Sequence, residues 1–217
     1  MERVERTSDV FKSIENRETF MNRLRPITVP SDMMNIAVSY AMAKHAHRFD
    51  KRKEIDPDSG EFIRYFEHLR RVALILMDEL GIYDPEMIIA ALMHDSIEDT
   101  RDIDDRMLEH LFGKNVTKIV KLLTKDPKEG YYGRLRRSGD WQALTIKGCD
   151  RLDNLRSLSG CTRAFKEKQI AETEKEIYPL MNQLVDMSGG DMQNKFIDLR
   201  RWITNATDSI DLREQQA

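Results

Sequence analysis

Apolar side chains recur with a helical period along most of the 217-residue chain. Over residues 64 to 80, Val72, Ile75, Leu76 and Leu80 fall at helical spacing, and Gly81 can end that helix. Asp84-Pro85 then offers an N-cap and a proline at the first helical position, so a new helix opens into the apolar run 88 to 93. Ser31 or Asp32 can cap an earlier helix reaching about Arg48. The polar stretch RFDKRKEIDPDSGEF (48 to 62) carries Pro57 and Gly60 and reads as a loop. Further helices are predicted near 104–112, 116–123, 130–138, 141–158, 164–187 and 191–212, with Gly113, Gly160 and Gly189-Gly190 separating several of them. Neither a persuasive period-2 strand nor an internal repeat interrupts the pattern. The expectation is all-α: one compact helical domain over 1–217.

Composition narrows the function classes. Hydrophobic residues make up 40% and charged residues 34%, the balance of a globular chain with a solvated surface. The net charge of −3 gives no field favouring nucleic acid or an anionic membrane, so neither is an expected partner. No apolar run approaches the roughly 20 residues that span a bilayer, and MERVERTSDV at the start lacks the apolar core of a signal peptide. Cys149 and Cys161 form no CxxC pair, and reduced thiols in the cytoplasm are the simplest expectation.

The apolar run 88–93 ends in HDSIEDT (94–100), where His94 is crowded by Asp95, Glu98 and Asp99. On a continuous helix His94 and Glu98 are four apart, as are Asp95 and Asp99, so the four groups could converge at one end of a cavity. Carboxylates crowded in this way raise one another's pKa unless a cation offsets them, and a divalent metal would do so. The alternative is an exposed acidic helix end with His94 uninvolved. Two further segments bear on that choice. His68 lies in YFEHLRRVALIL (65–76) beside an apolar stripe. Asp150 opens DRLDNLRSL (150–158), where Asp150, Asn154 and Ser157 at i, i+4 and i+7 give one face an acid, an amide and a hydroxyl. Two imidazoles and two carboxylates from three helices make a mixed N/O site, suited to Mn²⁺, Fe²⁺ or Zn²⁺ rather than Ca²⁺.

Other residues take ordinary readings. His45, His47 and His110 lack paired acids and read as surface or packing residues. The methionines at 33, 34, 42, 77, 87 and 93 read as core fillers. Arg134, Arg136 and Arg137 form a basic cluster that is either a phosphate-binding surface or a solvated helix face.

With HDSIEDT, an upstream Arg52-Lys53 pair, His68, DRLDNLRSL and AETEKEIYPLMNQL (171–184), the sequence resembles the HD-type metal-dependent phosphohydrolases. Within them it is similar to the RelA/SpoT-type alarmone hydrolases, over about 35–184. The resemblance implies a helical HD-domain architecture in which His68, His94, Asp95 and Asp150 hold the metal, usually Mn²⁺. It implies that Glu98 and Asp99 orient or deprotonate the attacking water. Arg52 and Lys53 would contact substrate, and Asn154 and Ser157 would line the nucleotide pocket. The implied substrate is a guanine nucleotide alarmone, (p)ppGpp, hydrolysed at its 3′ position to pyrophosphate and GDP or GTP. The chain departs from the pattern at Leu69, where the family usually has Pro, and at Asp153, where it usually has His or Tyr. The loop before His68 is longer than usual, and no stretch is a candidate synthetase domain, so a small stand-alone hydrolase is expected. Two other readings stand beside it: an HD phosphohydrolase acting on a nucleoside monophosphate or the 2′-phosphate of NADPH, and a metal-free helical module that binds a nucleotide without cleaving it.

Overall fold

The computed structural model of the chain describes residues 17–24, 31–45, 63, 65–99, 103–126, 130–158, 160–210 and 212. Arg52, Lys53, His47 and the loop expected over 48–62 lie outside them, as do the side chains of His45, Met42 and Asp99. Among the described residues there are helices and no strand.

Helices α1 (Arg17–Leu24) and α2 (Ser31–His45) precede α3 (Phe66–Leu74), which runs on through a π-helical turn at Ile75–Glu79. Then come α4 (Pro85–Met93), the single turn α5 (Ser96–Asp99), α6 (Asp105–Leu123), α7 (Tyr131–Ser138) and α8 (Trp141–Arg156). The chain continues through α9 (Arg163–Glu172), a second π-helical turn (Thr173–Ile177), α10 (Tyr178–Asp186) and α11 (Gly190–Asp208).

The starts of these helices follow from local chemistry. Asp84 accepts hydrogen bonds from the Glu86 and Met87 amides at 2.9 and 3.2 Å, with Pro85 at the first helical position. Asp104, Asp140 and Thr162 cap α6, α8 and α9 in the same way. Each cap satisfies amides that the helix itself leaves without partners. The break expected at Gly113 is present as a kink inside α6, where Gly113 adopts φ 85°, ψ 173°. Only glycine reaches that backbone region cheaply. The single helix expected over 164–187 is continuous but loosened by its π turn, and α1 has no counterpart in the pattern-based reading.

Every residue from 87 to 93 is buried. An apolar helix without a polar face has to be enclosed on all sides, and α4 packs against α2, α3, α6 and α8. Met34, Met77, Met87 and Met93 are buried in this core, as expected of filler residues. Helix α8 is the second axis, lying against α3, α6, α10 and α11. Its Gly148 permits the closest approach: a Cβ there would sit 2.7 Å from Leu199 Cδ2 and 2.9 Å from Met181 Sδ. Through these two helices the end of α4, the first turn of α3 and the face of α8 bearing Asp150 meet at one point.

Candidate metal centre and cleft

HDSIEDT is not one continuous helix. Helix α4 ends at Met93, the chain turns at His94-Asp95, and α5 restarts at Ser96. A turn and not a continuous helix therefore places the groups, and His94, Asp95 and Glu98 still border one cavity. His94 and Asp95 stay against the core, while Glu98 is carried outward to an exposed position.

His94 donates from Nδ1 to the Ala91 carbonyl at 2.8 Å, because a carbonyl can only accept. His68, on α3, has its Nδ1 2.7 Å from Asp153 Oδ2. The Nε2 atoms of both rings are buried and without a hydrogen bond. Both point at the same place. Nε2 of His68 is 3.2 Å from Asp150 Oδ1, and Nε2 of His94 is 3.8 Å from it. Ligand atoms of His68, His94 and Asp150 all lie within 4.8 Å of one another. Two bare imidazole nitrogens and a carboxylate oxygen, each anchored from behind, fit a divalent transition metal.

Asp95 stands beside this group, with Oδ2 3.2 Å from His94 Nε2 and 3.9 Å from His68 Nε2. It also accepts a hydrogen bond from the Tyr65 hydroxyl. Without a cation, burial alone would lower the His94 pKa, but Asp95 and then Asp150 more than offset this and raise it to about 9. Burial would likewise raise the Asp95 carboxyl, yet the neighbouring His94 holds it well below the usual carboxylate range. A metal bound there would compete with a proton for His94 Nε2.

Beside the centre lies a cleft of about 230 Å³. Tyr65, Asp95 and Glu98 line it, together with Lys147, Asp150, Arg151 and Asn154 of α8. Helix α9 contributes Phe165, Gln169 and Glu172 to the lining, and Phe165 is 45% exposed. Glu98 accepts a hydrogen bond from the Lys125 amide at 2.5 Å, which fixes its carboxylate at the rim. Asn154 donates to Asp150 Oδ1 at 2.8 Å, holding the oxygen that faces the histidines.

Lys147 is the cation that spacing alone did not bring forward. It sits one turn before Asp150, is 7% exposed, and places Nζ 2.8 Å from Asp150 Oδ2. Burial would lower its pKa, but Asp150 and the Tyr131 and Tyr132 hydroxyls raise it, so Lys147 stays charged. Its ammonium also lies 5.5 Å from the centre of the Tyr131 ring. Arg151 is held by Glu172 at 2.8 Å and donates to Gln169.

Two predicted groups stand away from the cleft. The Ser157 hydroxyl closes the end of α8 by donating to the carbonyls of Asp153 and Asn154 at 2.9 and 3.1 Å. In the basic cluster, Arg134 donates to the carbonyls of Lys121 and Thr124 at the end of α6, and none of the three arginines lines the cleft.

The sequence pattern of the HD domain family matches residues 37–184, so the chain belongs to that family. HD domains are metal-dependent, and the His68–His94–Asp150 cluster is where this one can hold an ion. Among curated relatives, guanosine-3′,5′-bis(diphosphate) 3′-pyrophosphohydrolase of Aquifex aeolicus is 37% identical over 165 residues, covering 71% of this chain and 22% of that protein. The bifunctional (p)ppGpp synthase/hydrolase SpoT of Escherichia coli K12 is 34% identical over 178 residues, covering 76% and 24%. The chain spans less than a quarter of the length of these relatives. A solved structure of a metazoan ortholog of SpoT that hydrolyzes ppGpp superposes with a TM-score of 0.60 at 29% identity, covering 80% of this chain and 97% of that one. The chain is thus an HD domain homologous to the SpoT and Rsh proteins.

Proposed function

We propose that this chain is a metal-dependent 3′-pyrophosphohydrolase of (p)ppGpp. The observation that carries the reading is the pair of bare, buried Nε2 atoms converging with Asp150 beside a cleft that holds a buried cation. His68, His94 and Asp150 would hold the ion with Asp95 beside them, and Mn²⁺ suits such a mixed N/O set. A bound divalent metal lowers the pKa of water and offsets phosphate charge.

The chain's own residues do the rest. Glu98, fixed at the rim by the Lys125 amide, accepts the proton of the attacking water, with Asp99 of the same turn as its partner in that role. Water oxygen bonds to the 3′-attached phosphorus, that P–O ester bond breaks, and the proton passes to the departing 3′ oxygen. Pyrophosphate and GDP, or GTP from the pentaphosphate, are the products. Lys147 neutralises phosphate charge that the acidic centre would otherwise repel. Arg52 and Lys53 supply further contacts to substrate, and Asn154 orients the nucleotide. Ser157 could join it only by giving up its bonds to the carbonyls of α8.

Incubation with ppGpp and Mn²⁺, followed by product chromatography, tests this. Pyrophosphate should appear in equal amount to GDP, and EDTA should stop the reaction. Orthophosphate from NADPH, with ppGpp untouched, would refute it.

A further inference from the structure

We infer that Asp153, backed by Arg71, is a positioning residue that sets the tautomer and aim of His68. The proposal rests on the reading of His68 as a metal ligand and assigns the group that makes it one. Helix α3 presents His68 and Arg71 one turn apart, and α8 presents Asp150 and Asp153 one turn apart. The two pairs interlock. His68 is held between two carboxylates of α8, with Nε2 3.2 Å from Asp150 and Nδ1 2.7 Å from Asp153. Arg71 reaches the other side of Asp153, donating from Nε to Oδ1 at 2.6 Å and from Nη2 to Oδ2 at 3.2 Å.

His68 and Asp153 are each 1% exposed and Arg71 is 4% exposed. A carboxylate sealed in this way needs a charged partner. Arg71 supplies it, and Asp153 Oδ2 accepts the Nδ1 proton of His68. The lone pair then belongs to Nε2, the atom facing His94 and Asp150. His94 is oriented differently, by the neutral Ala91 carbonyl at 2.8 Å. A carboxylate behind a ligating imidazole makes it a stronger donor than a carbonyl does. Asp153 thereby gives His68 the stronger hold on the ion.

The test compares wild type, Asp153→Asn and the double variant Arg71→Leu/Asp153→Asn, in which neither charge is left buried alone. Asp153→Asn keeps a hydrogen-bond acceptor but presents no charge. Two readouts are taken: Mn²⁺ affinity by titration calorimetry, and the His68 tautomer by ¹⁵N NMR of the metal-free protein in alkaline buffer. Wild type should show His68 protonated on Nδ1. The double variant should bind Mn²⁺ about 10- to 100-fold more weakly, with a helical circular dichroism spectrum and a loosened tautomer preference. Wild-type Mn²⁺ affinity in a folded double variant, or an Nε2 proton on His68 in the wild type, would overturn the proposal. Wild type that binds no Mn²⁺ would instead remove the metal site, while the tautomer measurement still decides what Asp153 does.

Discussion

Lys147→Met separates phosphate binding from metal binding at one position. The methionine keeps most of the aliphatic volume of the buried stem, so packing against Tyr131 survives. What disappears is the ammonium 2.8 Å from Asp150 Oδ2. At that distance and an effective dielectric of 20, the gross attraction is about 6 kcal/mol, most of it offset by the cost of burying both charges. Asp150 loses a competitor, so Mn²⁺ affinity should be unchanged or tighter. The substrate loses a charge-assisted hydrogen bond worth about 1.5–3 kcal/mol, which predicts a fall in kcat/KM of roughly 10- to 150-fold. Steady-state release of pyrophosphate from ppGpp, with Mn²⁺ titration of the same preparation, measures both. Wild-type kcat/KM would refute the phosphate role. A loss of metal in step with activity would make Lys147 a support for Asp150 instead.

Other outcomes follow from the same geometry. His94→Ala and Asp150→Ala should each abolish metal retention, measured by elemental analysis after dialysis, while circular dichroism stays helical. Glu98→Gln and Asp99→Asn should keep the metal and lower turnover by about 10²-fold or more; wild-type turnover in both would remove them as proton acceptors. Because the metal-free protein raises the His94 pKa to about 9 from about 6.5 unfolded, that group's contribution to stability is complete below the lower value and fades as pH rises through the higher one. Melting in EDTA should therefore fall across that window, whereas Mn²⁺ affinity should rise across it as the competing proton leaves; parallel trends would contradict the assignment. Gly148→Val should destabilise the fold by about 1–3 kcal/mol, seen as a melting point several degrees lower, because its added atoms meet Leu199 and Met181.

Much of the fold was legible because the cues are local. Asp84-Pro85, Asp104, Asp140 and Thr162 begin helices through hydrogen bonds within three residues, and Gly113 breaks one through its own backbone angles. The apolar run before His94 demanded a helix enclosed on every side. The site residues were legible for another reason: a histidine and several acids at the edge of a core are too costly to bury without a charge partner. The resemblance to the HD-type phosphohydrolases then implied His68, His94, Asp95 and Asp150 as one ligand set, and the fold brings His68, His94 and Asp150 together with Asp95 beside them.

Sequence by itself thus determined the helical class, most helix boundaries and the chemistry the site must contain. Tertiary structure decided which nitrogen and oxygen atoms meet. A turn at His94-Asp95, not a helical repeat, aims His94 inward and carries Glu98 to the rim. The crossing of α3 on α8 decided that Asp153, 85 residues from His68, lies behind its ring with Arg71 beyond. The packing of α7 on α6 ties Arg134 to the end of α6, and Lys147 of α8 faces the cleft. Spacing within one helix fixes which residues share a face, but the rotation of one helix against another depends on how whole side-chain surfaces interlock, and no local stretch of sequence carries that.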